Sequence, residues 1–166
     1  MIPGSVRIGQ GVDVHPFSEA EDRALILCGV PVAGGQGLAG HSDADVGLHA
    51  VADALLGAAA LGDLGARFGV DRPETAGADS TSLLEAVVAD VAAAGWQVGN
   101  LDVTIVAQRP RLAPHRAAMR AHLAGVCRVE VAAVSVKFTT TDHLGALGRG
   151  EGILATASCL LLSQQR

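Results

Sequence analysis

Aromatic side chains are nearly missing from this 166-residue sequence; they make up 2% of it, and there is no tyrosine. The apolar 49% is carried instead by alanine, valine and leucine. Small side chains pack closely but bury little area each, which suits a subunit that completes its core in an oligomer. Basic residues are also scarce. Twelve Lys and Arg face 17 Asp and Glu, a formal net charge of −5, with no basic block. No nucleic-acid partner is therefore expected, because that role needs an electropositive footprint.

Long hydrophobic runs are absent too. A membrane-spanning helix needs roughly 20 nearly continuous apolar residues, and the most apolar stretch, Val46 to Leu61, is interrupted by His49 and Asp53. The mean hydropathy of +0.37 thus points to a packed interior and not to a membrane. Residues Met1 to Arg7 lack the basic start and apolar run of a secretory signal. Cys28, Cys127 and Cys159 are odd in number, widely spaced and not in C-x-x-C pairs, so they read as reduced core thiols. The expectation is a cytoplasmic protein. Against about 150 residues per domain, residues 1–166 read as a single domain.

What is present is an alternation of extended and helical patterns. Val6 to His15 and Leu25 to Val30 read as strands, followed by a Gly-rich loop from Ala33 to Gly40. A helix is expected from about Asp45 to Leu61 with Ser42 or Asp43 as its N-cap. Asp79 or Ser80 can cap a second helix that Gly95 ends. Asn100 to Ala107 reads as a strand, Pro114 to Ala124 as a third helix, and Val129 to Phe138 and Gly152 to Leu162 as the last strands. The fold class is α/β (of α+β type), a split βαβ sandwich with a mixed sheet on one side and helices on the other.

Three residues have the types and spacing of a metal site. Asp13 and His15 are two apart on a strand and so share a face. His49 lies one turn into the first long helix. Two imidazoles and a carboxylate suit Zn²⁺ and leave the fourth tetrahedral position open, as catalytic sites need. Asp45, His49 and Asp53 form one stripe at i, i+4 and i+8. On a helix buried nearly all round they must be ligated or hydrogen-bonded; on an amphipathic helix they would face water. A carboxylate accepting the free N–H of His49 would hold the ring in place.

Other features suit a polyphosphate. His41 and Ser42 precede the helix, where free N–H groups favour anions. Thr139, Thr140 and Thr141 offer hydroxyl donors beside Asp142, a carboxylate of the kind that meets Mg²⁺ on phosphate oxygens. Arg149 adds a cation in a run of glycines. His115 and His122 read as surface or core histidines, and His143 as solvated.

Taken in order, these segments resemble the 2-C-methyl-D-erythritol 2,4-cyclodiphosphate synthase family. The resemblance rests on Gly9 to His15, His41 to Ala50, Asp53 to Gly65, Asp102 to Gln108, Thr139 to Asp142 and Gly148 to Gly152. It implies a homotrimer with active sites between subunits. It also implies a reaction in the non-mevalonate route to isoprenoid precursors. The 2-phosphate of 4-diphosphocytidyl-2-C-methyl-D-erythritol 2-phosphate would attack the β-phosphorus and expel CMP. By the resemblance, Asp13, His15 and His49 are zinc ligands, and His41 and Thr140 stabilise the transition state. Asp142, where the family usually has Glu, would help hold Mg²⁺ or Mn²⁺.

The substrate-binding set it implies comprises Asp13, Val14, His15, His41 and Ser42, then Asp63, Leu64, Gly65, Phe68 and Asp71. It continues with Ala107, Arg111 and Leu112, then Thr139 to Asp142, Ala146 and Arg149. Arg111 stands in place of a frequent Lys, and Ala146 in place of an aromatic near the trimer axis. Phe68 to Arg72 reads F-G-V-D-R where the family often has F-P-D-T-D. Two other readings fit the same residues: a zinc-dependent phosphohydrolase on this scaffold, and a trimeric metabolite-binding module with a structural metal.

Overall fold

The structure is a computed structural model, and it describes residues 5–40, 42–69 and 79–164. Its frame is a four-stranded mixed sheet. The strands are β1 (Val6–Pro16), β4 (Trp96–Val106), β5 (Val134–Thr139) and β6 (Gly152–Ser163), in the order β1-β6-β4-β5. β6 is antiparallel to both neighbours, and β4 and β5 are parallel. β2 (Ala24–Leu27) and β3 (Val30–Gln36) form a separate hairpin. The helices are α1 (Val46–Ala59), α2 (Leu64–Phe68), α3 (Ser80–Ala93), α4 (Arg116–Cys127) and the short α5 (Gly145–Gly148). The expected strand–helix alternation and mixed sheet are present.

One face of the sheet is covered. Leu101, Val103 and Ile105 of β4 and Ile153, Ala155 and Ala157 of β6 point inward against α1 and α3, and all are buried. α1 is buried nearly all round: eleven of its residues, from Val46 to Ala59, are inaccessible. It lies unusually close to β1 because β1 has glycine where the two backbones meet. A Cβ on Gly9 would lie 1.9 Å from the Ala54 carbonyl oxygen, and one on Gly11 would lie 2.0 Å from that of Ala50. The other face of β1 is bare and largely apolar, with Val6, Ile8, Val12 and Val14 exposed beside Gln10, Ile8 by 80%.

Several boundaries differ from the sequence reading. The cap of α1 is Asp45, not Ser42 or Asp43; its carboxylate accepts the N–H groups of Gly47 and Leu48. That carboxylate is fully buried and also accepts the N–H groups of Cys28 and Gly29, so one side chain ties the helix start to the β2–β3 turn. The second run divides at Cys28 and Gly29, both at positive φ, and part of the Gly-rich loop becomes β3. The 3-10 turn Val131–Ala133 delays the start of β5. Asp79 caps α3, and Gly95 at φ 86° follows its end, as expected. The three cysteines are free and buried.

Candidate metal centre

Asp13 and His15 lie on the helix-covered face of β1, and α1 brings His49 over them. The candidate ligand atoms of the three all lie within 4.8 Å of one another. Asp13 Oδ2 is 2.9 Å from His49 Nδ1 and 3.2 Å from His15 Nε2. Strand alternation pairs the first two, and the glycines beneath α1 let the third approach. The rings are tilted by 55° with centroids 5.6 Å apart, so the nitrogens converge on the carboxylate without the rings stacking.

The donor set fits a divalent cation. His15 Nδ1 donates to the Ala39 carbonyl at 2.6 Å, which leaves Nε2 as the ring nitrogen facing Asp13. His49 Nε2 is 3.0 Å from the Ser80 hydroxyl and 3.3 Å from that of Ser42, which leaves Nδ1 toward Asp13. Partial burial acts to raise the Asp13 carboxyl, but hydrogen bonds and charge from both histidines prevail and hold it well below the usual carboxylate range. The hydrogen bond to Asp13 raises the proton affinity of His15 against the opposing effect of burial. A cation here would therefore compete with protons for the imidazoles.

The stripe on α1 divides in function. Asp45 and Asp53 are occupied elsewhere: Asp45 caps its own helix, and Asp53 accepts the N–H of Leu64 at 2.8 Å. Burial raises the Asp53 carboxyl against that bond. The free N–H of His49 meets hydroxyls and not the expected carboxylate. Ser80, 1% exposed, thus belongs beside the site. Sequence reading gave it only a capping role, since nothing in its spacing places it next to a residue 31 positions away. Gly9 and Gly11 did carry a local signal, because glycine inside a strand marks close backbone approach.

The remaining candidates fall into two groups. Ser42 is beside His49, and Asp63, Leu64, Gly65 and Phe68 begin and form α2, which Asp53 fastens to α1 one turn beyond His49. Val14 points to the opposite face of β1 from Asp13 and His15 and is exposed. His41 and Asp71 lie outside the described residues. The second group sits at the far edge of the sheet. Thr139 ends β5, and Thr140, Thr141 and Asp142 follow it.

In this second group Thr140 donates to Asp142 Oδ1 at 3.3 Å, and Thr141 donates to the Leu144 carbonyl at 2.7 Å. Ala107 is joined to it through its N–H to the Thr139 carbonyl. Ala107 and Leu112 are buried, while Arg111 and Ala146 are exposed. Arg149 is exposed as well and pairs with Glu151 at 2.6 Å. His143 is exposed as expected, and His115 and His122 are half-buried away from the centre.

The two groups share one end of the sheet but lie on opposite edges of it. Val14 pairs with Leu154, Leu154 with Val106, and Val106 with Thr139. Three strand spacings, about 14 Å, separate the edges. Within one chain the structure does not bring the metal centre and the Thr140 loop together.

A model of the YgbB family matches residues 6–162. The chain is 55% identical over 159 residues to the 2-C-methyl-D-erythritol 2,4-cyclodiphosphate synthase of Trichlorobacter lovleyi, covering 96% of this chain and 100% of that one. It is 56% identical over 155 residues to the synthase of Chromobacterium violaceum, covering 93% and 97%. A solved 2C-methyl-D-erythritol-2,4-cyclodiphosphate synthase in its CDP-bound form superposes with a TM-score of 0.84. It shares 34% identity over 93% of this chain and 99% of its own. The bifunctional IspDF of Campylobacter jejuni matches with a TM-score of 0.92 and 36% identity, over 96% of this chain and 43% of its own.

Proposed function

The chain belongs to the YgbB family of 2-C-methyl-D-erythritol 2,4-cyclodiphosphate synthases, and from that premise we propose how its residues perform the reaction. The activity is that of a phosphorus–oxygen lyase in the non-mevalonate route. The 2-phosphate oxygen of 4-diphosphocytidyl-2-C-methyl-D-erythritol 2-phosphate forms a bond to the β-phosphorus. The bond from that phosphorus to the bridging oxygen breaks, and CMP leaves with the electron pair. The attacking phosphate is ionised at neutral pH and needs no strong base. The barrier lies in aligning anions that repel one another.

Asp13, His15 and His49 would hold a Zn²⁺ ion, which when bound supplies positive charge to the phosphate oxygens. Asp142 would meet the Mg²⁺ or Mn²⁺ that arrives with the diphosphate. Thr140 turns its hydroxyl from Asp142 to a phosphoryl oxygen, and His41 lends a second donor there. Ser42 and the start of α2, at Asp63 to Gly65, border the methylerythritol, with Phe68 continuing that wall; Asp71 is a further candidate for the methylerythritol hydroxyls. Ala107, Arg111 and Leu112 take the cytidine part, a role supported by the CDP held in a solved relative. Arg149 and Ala146 lie on the side toward the trimer axis.

The observation that carries this reading is the separation of the two groups on opposite edges. A head-to-tail trimer sets the β1 edge of one subunit beside the β5 edge of the next and makes one composite site per interface. The bare, largely apolar face of β1, with Val6, Ile8, Val12 and Val14, is the surface such an assembly would cover. The test is phosphorus NMR of the products, with light scattering on the same sample. Cyclic diphosphate plus CMP from a particle of three subunits is expected. A linear hydrolysed phosphate, or a monomer active at nanomolar concentration, would overturn the reading.

A further inference from the structure

His15 and His49 are oriented by different means. The Nδ1 of His15 donates to a main-chain carbonyl, an acceptor that no substitution removes. His49 instead meets a side-chain relay. Asp43 accepts the N–H of Asp45 at 3.2 Å and that of Ser80 at 3.1 Å, and it also accepts the Ser80 hydroxyl. A carboxylate can only accept, and a serine has one hydroxyl hydrogen. With that hydrogen directed to Asp43, the Ser80 oxygen, 3.0 Å from His49 Nε2, can only accept from it. The Ser42 oxygen, 3.3 Å from the same nitrogen, already accepts the N–H of Ala44.

We infer that Asp43 and Ser80 are positioning residues that hold the His49 ring through its Nε2 and thereby keep Nδ1, 2.9 Å from the Asp13 oxygen, facing the place where a divalent cation would replace the proton shared with Asp13. The relay spans three elements. Asp43 precedes α1, Ser80 opens α3, and His49 is on α1, so docking α3 against α1 completes the orientation of the ligand. Such partners of a ligating histidine are worth about 10- to 100-fold in metal affinity. The inference rests on the metal reading above, and its test separates the two.

The experiment has two arms. Long-range ¹⁵N–¹H spectra of the metal-free wild type at pH 8 should show the Nε2 of His49 protonated, whether or not Nδ1 shares a proton with Asp13; an unprotonated Nε2 overturns the inference. Zinc titration against a competing chelator should show affinity about 10- to 100-fold weaker in Ser80→Ala and Asp43→Asn. Ser80→Thr, which keeps a hydroxyl, should recover most of it. Unchanged affinity in Ser80→Ala also overturns the inference. If Ser80→Ala does not fold, Asp43→Asn and the wild-type spectrum decide. A wild type that binds no zinc defeats the metal reading, while the spectrum still decides the protonation of His49.

Discussion

The β1 edge and the β5 edge of the sheet solve different problems. At the β1 edge the ligand atoms are already gathered: strand alternation, a helix seated on glycine and hydrogen bonds to Ala39 and Ser80 hold them before any ligand arrives. At the β5 edge Thr139, Thr140 and Asp142 are exposed and Thr141 half-buried, with Asp142 and His143 at positive φ and the hydroxyls bonded within the loop. The first edge is preorganised by packing. The second, in the proposed function, would exchange internal hydrogen bonds for substrate oxygens. Stability and activity should therefore respond differently to substitutions at the two edges.

The largest effect is expected from the packing that brings α1 onto β1. Gly11→Ala places a methyl group 2.0 Å from the Ala50 carbonyl oxygen and should destabilise by about 3 kcal/mol or more, measured by chemical denaturation. A smaller change would mean that the helix shifts freely and that the β1 edge is not preorganised. His49→Ala should abolish CMP release and zinc binding while the oligomeric state stays that of the wild type, because the imidazole serves the site and not the core. Full activity of the metal-depleted variant would remove His49 from the centre.

Thr140→Ala tests the other edge. About 10²-fold lower turnover is expected, with unfolding shifted by less than about 0.5 kcal/mol, since the side chain is exposed. If the proposed head-to-tail trimer holds, mixing denatured His49→Ala and Thr140→Ala chains and refolding them together should restore about a quarter of wild-type activity, the share of interfaces that would pair two intact edges. No recovery would place both edges in separate sites. Asp45→Asn should cost about 2 kcal/mol, because an amide cannot accept from all four N–H groups that the carboxylate serves. The smallest effect belongs to Asp142→Ala, whose lowered turnover should recover in part with millimolar Mg²⁺ or Mn²⁺.

Much of the β1 edge was legible in the sequence, since a two-residue spacing on a strand is a geometric statement. Asp13 and His15 had to share a face, whereas His49 needed a partner only if its helix was buried nearly all round, as the structure shows it to be. The capping assignments were less legible. Ser42, Asp43 and Asp45 are all good N-caps by type, and the choice fell to Asp45 because its carboxylate also satisfies the β2–β3 turn. Asp43 was left to bind Ser80, a pairing across 37 residues that no local pattern encodes.

Local pattern by itself determined the main strands and helices and the shared face of Asp13 and His15, because these depend on periodicities of two and 3.6 residues; that α1 is buried nearly all round was decided by the structure. Tertiary structure alone decided which carboxylate caps α1, which hydroxyl meets His49, and that the Thr140 loop stands across the sheet from the metal centre. Those outcomes depend on strand order and on the approach of distant backbones, which are properties of the whole packed chain.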